Sequence, residues 1–280
     1  MEVPVKKNQE LEVEIIDLTH QAMGVAKIDG FPVFIENTLP QENARIKIIK
    51  VGKKFAIGKC LELIKTSPHR QEVENEDLLR TGIAPLSHLS YPQQLLFKQD
   101  QVENVIKKVA KMPEIKVAPT MGMKKPDSYR NKAQIPVQKI HGQLTTGFYH
   151  KNSHRLVSVD DFMIQDKKID QVIAIVREIL QFYKVKAYNE QAHEGFLRHI
   201  IIRRGHYSHE MMVVLVTRKE KFFKGPEIAQ KIHERLPEVV SVMQNINSEQ
   251  TNVILGEQEK VLYGQAYLTD QLLGKKFRIS

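Results

Sequence analysis

Basic side chains cluster in the middle of the chain. Lys124, Lys125, Arg130 and Lys132 lie within nine residues, around a tyrosine. Lysine and arginine at this density neutralise phosphates, and arginine or aromatic planes stack on unpaired bases. Residues 98–155 carry 12 basic and 4 acidic groups, a net charge of +8, while the whole 280-residue chain carries +9. The pattern is typical of a nucleic-acid-binding surface, although a solvated charged face has the same composition.

Strand alternation brings part of this cluster together. Arg130 and Lys132 are two residues apart in a predicted strand, so both side chains face the same side of a sheet. Arg155 closes the run KNSHR, and Arg198 together with the pair 203–204 brackets the core of another predicted strand. These arginines extend the predicted basic surface.

The residues indicate no other chemistry. The sequence has no glycine-rich phosphate loop, no Gly-x-Ser-x-Gly elbow and no Cys-x-x-Cys pair. His206 and His209 are three residues apart but lie in a polar turn with no third metal ligand indicated. The single cysteine, Cys60, excludes a disulfide framework and lies in a predicted strand with no base nearby.

Composition limits the class of protein. Hydrophobic residues make up 41% and charged residues 27% of the chain, which is ordinary for a globular protein. No run reaches the 18 or so apolar residues of a membrane helix, and the first ten residues lack an apolar signal core. A cytoplasmic location is therefore expected.

Two domains joined by a linker are predicted, in an overall α+β fold. Residues 1–66 contain five short strands and turn signals, the size of a small OB-like β-barrel that binds either nucleic acid or another protein. Residues 67–89 form the predicted linker, and residues 90–280 mix helices with strands around a mainly antiparallel sheet. The predicted helices cover about 91–111, 167–183 and 226–236, and the predicted strands are 130–138, 145–149, 155–159, 197–204, 211–217, 239–246 and 253–255.

Six ordered segments resemble a known family. Residues 24–40, GVAKIDGFPVFIENTLP, resemble a TRAM domain, a small RNA-binding β-barrel. The others are SHLSYPQQLLFK (87–98), SYRNKAQ (128–134), GFYHKNSHRLVSVDDFMIQ (147–165), LRHIIIRR (197–204) and QNINSEQTNVILG (244–256). Over essentially the whole chain they resemble the S-adenosylmethionine-dependent RNA (uracil-5-)-methyltransferases, which modify ribosomal and transfer RNA.

The resemblance implies a mechanism for the full-length parent. A cysteine thiolate adds to uracil C6, C5 attacks the cofactor methyl group, and a base removes the C5 proton before the cysteine is expelled. The segment LYGQAYLTDQLLGKKFRIS (262–280) ends where family members continue into the domain that carries this chemistry. S-adenosylmethionine is therefore expected for the parent, whereas this chain is expected to bind no cofactor and to be inactive alone.

The sequence departs from the family at its iron–sulfur site. Many members bind a four-iron, four-sulfur cluster through four cysteines, and the matching positions here are Asn75, Thr81, Ala84 and Phe162. None of these residues can supply a thiolate, so no iron–sulfur cluster is expected.

The resemblance therefore implies an RNA-recognition role, with ribosomal RNA preferred over transfer RNA. This part would bind folded RNA and present a flipped uridine to a catalytic domain. Arg130, Lys132 and Gln134 match the segment nearest the target nucleotide, and Gln134 could hydrogen-bond a base edge. The other expected RNA contacts are Lys124, Lys125, Arg155, Arg198, Arg203 and Arg204, with Lys27, Phe31 and Phe34 in the barrel, where at least one phenylalanine is expected in the core.

Two alternatives stay open at this point. The chain could be a naturally short, non-catalytic RNA-binding protein or assembly factor. It could also belong to a methyltransferase whose active site is completed by a separate catalytic subunit.

Overall fold

The chain forms two compact units, residues 1–124 and 125–280. The computed structural model describes residues 3–73, 75–151 and 153–280. Residues that the sequence analysis assigned to a linker and to the start of the second domain fall within unit 1. The domain boundaries at residues 66 and 89 stay a prediction.

Unit 1 is built on one six-stranded sheet. Its strands are β1 (Glu10–Glu14), β2 (Asp17–Leu18), β3 (Gly24–Ile28), β4 (Phe31–Ile35), β5 (Asn43–Val51) and β6 (Ala56–Lys65). They pair in the order β1-β5-β6-β4-β3-β2, with β4 and β6 parallel. The predicted closed barrel is wrong, because no pairing among the described residues joins the edge strands β1 and β2. With only two residues, β2 is too short to carry a ladder back to β1.

The core of unit 1 follows strand alternation. Ala44, Ile46 and Ile48 of β5 are fully buried, as are Val33 and Ile35 of β4. Residues between them point to the opposite face of the sheet, because successive side chains alternate. This alternation defines the outer face that is described below.

The predicted linker begins with a buried ion pair. Arg70 donates from Nη2 to Oε2 of Glu42 at 2.9 Å, and the backbone N–H groups of Leu39 and Ser67 also donate to this carboxylate. Burial raises the pKa of Glu42, but the hydrogen bonds from Arg70 and the two backbone groups outweigh it, so the net pKa is lowered. Residues 67–70 are therefore fixed against the first sheet.

Two helices complete unit 1, α1 (Asp77–Thr81) and α2 (Tyr91–Lys108). The helix α2 is present where it was predicted, but among the described residues none of it is buried, and Leu96 and Val105 are 50% and 57% exposed.

Unit 2 contains a seven-stranded sheet, two helices and a hairpin. The elements are β7 (Lys132–Ile140), β8 (Gln143–Tyr149), β9 (Leu156–Ser158), α3 (Lys167–Phe182), β10 (Leu197–Arg204), β11 (Met211–Thr217), α4 (Gly225–Arg235), β12 (Val239–Ile246), β13 (Gln258–Gly264), β14 (Leu268–Leu272) and β15 (Lys275–Ile279). The large sheet has the order β13-β12-β11-β10-β7-β8-β9, and β14 pairs with β15 separately.

The α+β class is confirmed, but the large sheet is mixed rather than mainly antiparallel. Strands β11 and β12 run parallel. The helix α4 lies between them in the sequence, and a helical crossover is what allows consecutive strands to run parallel. The bounds predicted for β10, β11 and β12 match the structure.

The end of unit 2 differs from the prediction. Residues 253–255 are not a strand, because the carbonyls of Val253 and Ile254 accept from Asn247 Nδ2 at 2.7 and 3.1 Å. Strands β13 to β15 were not predicted. Leu268 and Ile279 of the β14–β15 hairpin pack on one face of the large sheet, against a cluster that includes Ile201. In the described part of the chain, no helix has the length and apolarity needed to cross a membrane.

Candidate nucleic-acid interface

The outer face of the first sheet presents an aromatic pair. In β4, Val33 and Ile35 enter the core, so Phe34 between them points outward. The Phe34 and Phe55 ring centroids lie 5.4 Å apart, and Phe55 is 40% exposed. Phe31 has the parity of Val33 and packs against the core cluster. One predicted phenylalanine therefore belongs to the core, and Phe34 is placed to meet a ligand.

Lysines surround this aromatic pair. Lys27 is exposed on β3, where it pairs with Pro32 two residues before Phe34. Lys50 pairs with Ile57, which is the partner of Phe34, and Lys47 lies opposite Lys59. Sequence analysis identified Lys27 and missed the other three lysines. The segment KIIKVGKKFAIGK (47–59) is rich in lysine, but simple alternation does not place these side chains, because the β5–β6 ladder shifts register between Ile48 and Lys50.

Acidic residues bound this face at the β1 edge. Arg45 lies 2.9 Å from Glu62 and 3.5 Å from Glu10, and Glu10 also pairs with Lys47 across the two strands. Of the four lysines around the aromatic pair, those without an acidic cross-strand partner in the described part of the chain lie on β3, β5 and β6, namely Lys27, Lys50 and Lys59.

A second basic patch lies at one end of the large sheet in unit 2. Lys132 and Arg203 are direct cross-strand partners, so their side chains share a face. Arg130 precedes β7 and is held by its backbone N–H, which donates to the Ile164 carbonyl at 2.8 Å. Among the described residues, none of these three cations forms an ion pair. The structure thus brings together three of the predicted RNA contacts, which we call the β7–β10 patch.

Gln134 extends this patch along β7. It pairs with Ile201 and lies on the same face as Lys132. The side chain is half-buried, and it is the nearest amide to the basic patch along the strand.

Arg204 is mainly structural. Its Nη1 donates to Oδ2 of Asp166 at 2.7 Å, and its Nη2 lies 2.9 Å from Nδ1 of His209. Asp166 also caps α3 by accepting from the Lys168 backbone N–H at 2.9 Å. The guanidinium therefore supports the start of a helix, next to the patch.

Arg198 lies inside the fold rather than on the surface. The ladder between β10 and β11 shifts register between Leu197 and His199, which makes Arg198 the extra residue of a β-bulge. Its guanidinium donates to the carbonyls of Asn247, Glu249 and Thr251 at 2.6–2.8 Å, and the side chain lies over the Tyr188 ring at 4.7 Å. Since Arg198 is only 5% exposed, a phosphate contact would require it to release these carbonyls.

The remaining predicted cations are exposed. Arg155 precedes β9, where its backbone N–H donates to Ser153 Oγ at 3.0 Å. Lys125 lies 3.3 Å from Asp127. Lys124 is the last residue of unit 1.

The iron–sulfur positions lack thiolates in the structure as in the sequence. Asn75, Thr81 and Ala84 are half-buried around α1, and Phe162 is buried in unit 2 against Phe148, with ring centroids 4.6 Å apart. Cys60 is half-buried in β6, where burial raises the pKa of its thiol. No three His, Cys, Asp or Glu side chains among the described residues are grouped to hold a metal ion. These residues do not fit a cysteine-ligated cluster.

Comparisons with known proteins concern the whole chain and its first domain. The model of the TRAM domain family matches residues 4–61. An uncharacterized RNA methyltransferase of Enterococcus faecalis is 52% identical over 277 residues, which cover 99% of this chain and 61% of that protein. One from Lactiplantibacillus plantarum is 52% identical over 278 residues, with the same coverage. The chain thus spans about three fifths of the length of these relatives.

A solved structure shares the fold. The crystal structure of Pyrococcus abyssi tRNA (uracil-54, C5)-methyltransferase in complex with S-adenosyl-L-homocysteine superposes with a TM-score of 0.69 at 20% identity. The match covers 96% of this chain and 59% of that chain.

Proposed function

We propose that this chain, which belongs to the RNA (uracil-5-)-methyltransferase family with a TRAM domain, supplies the RNA-recognition part of an RNA uracil-C5 methyltransferase. Its basic surfaces bind a folded RNA and present a flipped uridine for methylation at C5. The methyl-transfer chemistry belongs to the part of the relatives that this chain does not cover.

The Lys132–Arg203 pair carries this proposal. Two cations directly opposite on adjacent antiparallel strands repel each other and destabilise the sheet. No acidic side chain among the described residues forms an ion pair with either cation. A phosphate between them would neutralise both, and such contacts set the position of a protein on RNA. The pair is therefore suited to a polyanion.

Each unit offers further groups that can contact RNA, Gln134 in unit 2 and the aromatic pair in unit 1. Gln134 offers an amide donor and acceptor that can read a base edge, and Phe34 and Phe55 offer aromatic faces for unpaired bases. Single-stranded or flipped nucleotides suit these groups better than a regular duplex, whose base edges are less accessible. We propose ribosomal RNA as the substrate in preference to transfer RNA.

S-adenosylmethionine is the methyl donor that family membership implies. The archaeal relative was crystallised with S-adenosyl-L-homocysteine. That complex does not support the expectation that this chain binds no cofactor, and we do not propose that the chain lacks cofactor binding.

A salt titration tests the RNA-binding proposal. The chain is titrated with a fluorescent stem-loop of 23S ribosomal RNA at several salt concentrations, and the same series is run with a transfer RNA. We expect the logarithm of the affinity to fall steeply with the logarithm of salt, by roughly 0.7 per phosphate contacted on single strands. Replacing Arg130 and Lys132 by Ala should reduce that slope by about 1.4, the share of two contacts.

The control removes two charges elsewhere. Lys231 and Arg235 lie on α4 and are paired with Glu234 and Glu178. Their double replacement by Ala should leave the slope unchanged. The proposal fails if the wild-type chain does not bind either RNA at low salt.

A further inference from the structure

A second cationic and aromatic surface lies at the other end of the large sheet. A cleft of about 510 Å³ is formed where α3 ends, β10 begins and β11 passes into α4. We call it the lysine–phenylalanine cleft, and its main side chains are Lys184, Lys186, Lys219, Lys221, Phe222 and Phe223.

The charge of this cleft is not neutralised. Five cations line it, namely the four lysines and Arg218, against the single carboxylate of Glu194. Among the described residues, none of the five forms an ion pair. Cations just outside the cleft are paired: Lys224 lies 3.2 Å from Glu227, and Lys260 lies 2.6 Å from Glu220. The excess positive charge is therefore concentrated in the cleft.

Aromatic faces are available in the same place. Phe223 is 76% exposed and lines the cleft together with the lysines. Phe222 beside it is half-buried and packs on Phe196, with ring centroids 4.8 Å apart. The inner pair fixes the floor of the cleft, while Phe223 presents its ring to a ligand.

Lys184 enters the cleft from the end of α3. Lys184 adopts a left-handed conformation, with φ of 55°, directly after the capping residue of α3. Glycine is the residue that adopts this conformation most easily after a helix. The lysine at this position places a cation on the rim of the cleft, although glycine would adopt the same backbone conformation with less strain.

We propose that the lysine–phenylalanine cleft binds a single-stranded segment of the RNA, with phosphates on its lysines and an unpaired base stacked on Phe223. This inference rests on the proposed function, because it assigns a second contact for the same RNA. A groove that combines cations with exposed aromatic rings is the general design of sites for single-stranded nucleic acid. An acidic peptide would use the cations but would have no use for an exposed aromatic face.

The cleft and the β7–β10 patch are far enough apart to hold different parts of one RNA. Leu197 begins β10 and Arg203 is its second-to-last residue, six residues along the strand. At about 3.3 Å per residue the separation is about 20 Å. A stem held at one end could thus continue into a single strand that enters the cleft.

The test uses a fluorescent 12-nucleotide oligouridine, which has no stable structure, and the whole chain. Phe223→Ala should weaken binding roughly 5- to 150-fold, the range for one stacked base. Phe223→Leu should weaken binding nearly as much, because leucine is apolar but has no aromatic face. Phe223→Trp should bind like the wild type, because tryptophan keeps an aromatic ring. Lys219→Ala with Lys221→Ala should reduce the salt slope by about 1.4, and the α4 pair Lys231→Ala with Arg235→Ala serves as the charge-matched control.

The outcomes separate this inference from the proposed function. If the wild-type chain binds neither the oligouridine nor the stem-loop, both fail. If it binds the stem-loop and responds to Arg130→Ala with Lys132→Ala, but the cleft variants bind both RNAs like wild type, only the cleft assignment falls. Equal binding of poly-glutamate, with the same dependence on Phe223, would overturn the assignment in favour of an acidic protein partner.

Discussion

Lys132 and Arg203 lie directly opposite each other on adjacent strands of the large sheet. Like charges in this arrangement lower stability, so the fold tolerates a repulsion that a bound polyanion would remove. Several expected outcomes follow from this and other contacts.

Lys132→Glu should stabilise the free protein and abolish RNA recognition by the β7–β10 patch. The new carboxylate would attract Arg203, whereas Lys132 repels it, and the difference is worth about 0.2–1 kcal/mol in low salt. Urea denaturation in low salt measures the gain, and the stem-loop titration measures the loss. A variant that is both less stable and fully able to bind RNA would contradict the interpretation of this pair.

Phe31→Ala and Phe34→Ala should have opposite consequences. Phe31 packs on the core of unit 1, so its truncation should cost about 3 kcal/mol of the free energy of unfolding, with little direct effect on RNA contacts. Phe34 points outward beside Phe55, so its truncation should weaken RNA binding at a much smaller cost in stability. Denaturation curves and RNA titrations on both variants, measured under conditions where each is folded, test this contrast. Equal effects in both assays would show that the outer face is not a binding face.

Arg198→Ala should destabilise unit 2. The guanidinium donates to three backbone carbonyls, and its removal leaves these acceptors without their donor, at a cost of about 3 kcal/mol. Arg155→Ala is the control, since that exposed side chain should change stability by less than about 0.5 kcal/mol. Urea denaturation compares them. An unchanged midpoint for the Arg198 variant would mean that water replaces the guanidinium without cost.

Asp170→Asn should give a stability change that depends on pH. Burial is the main cause that raises the pKa of Asp170 from 3.8 to about 6. The hydrogen bonds from Phe162 and Gln165 lower this pKa, and the nearby carboxylates of Asp161 and Asp166 raise it further. Because the folded state prefers the protonated acid, the wild type loses stability as the pH rises from about 4 to 6, and the loss is complete above pH 6.

The asparagine variant lacks this loss. Its amide carries no charge at either pH, so burial does not penalise it as it does the carboxylate. Relative to wild type, the free energy of unfolding of the variant should therefore increase by about 1–2 kcal/mol between pH 4 and pH 7. This is the free energy that corresponds to the full pKa shift of Asp170, reduced because the carboxylate is partly exposed. Denaturation at both pH values measures the difference, and a gain of the same size at pH 4 and pH 7 would contradict the assignment.

The sequence by itself determined the elements whose periodicity is strong. The apolar runs of β10, β11 and β12 and the 3.6-residue stripe of α3 predict those elements within a residue, because side-chain period follows directly from backbone geometry. The same rule predicts that Arg130 and Lys132 face one side of the sheet, but β7 begins only at Lys132, so Arg130 lies before the strand. The ordered family segments indicated RNA methyltransferases, and the comparisons confirm that resemblance.

Only the tertiary structure decided which of the predicted residues are available to a ligand. A single register shift makes Arg198 a bulge residue inside the fold, and no local pattern in LRHIIIRR distinguishes it from Arg203. The pairing of edge strands decides between an open sheet and a barrel, and it depends on contacts between residues far apart in the sequence. The lysine–phenylalanine cleft joins the end of α3 to the segment after β11, more than 30 residues away, so its charge becomes visible only when the chain is folded.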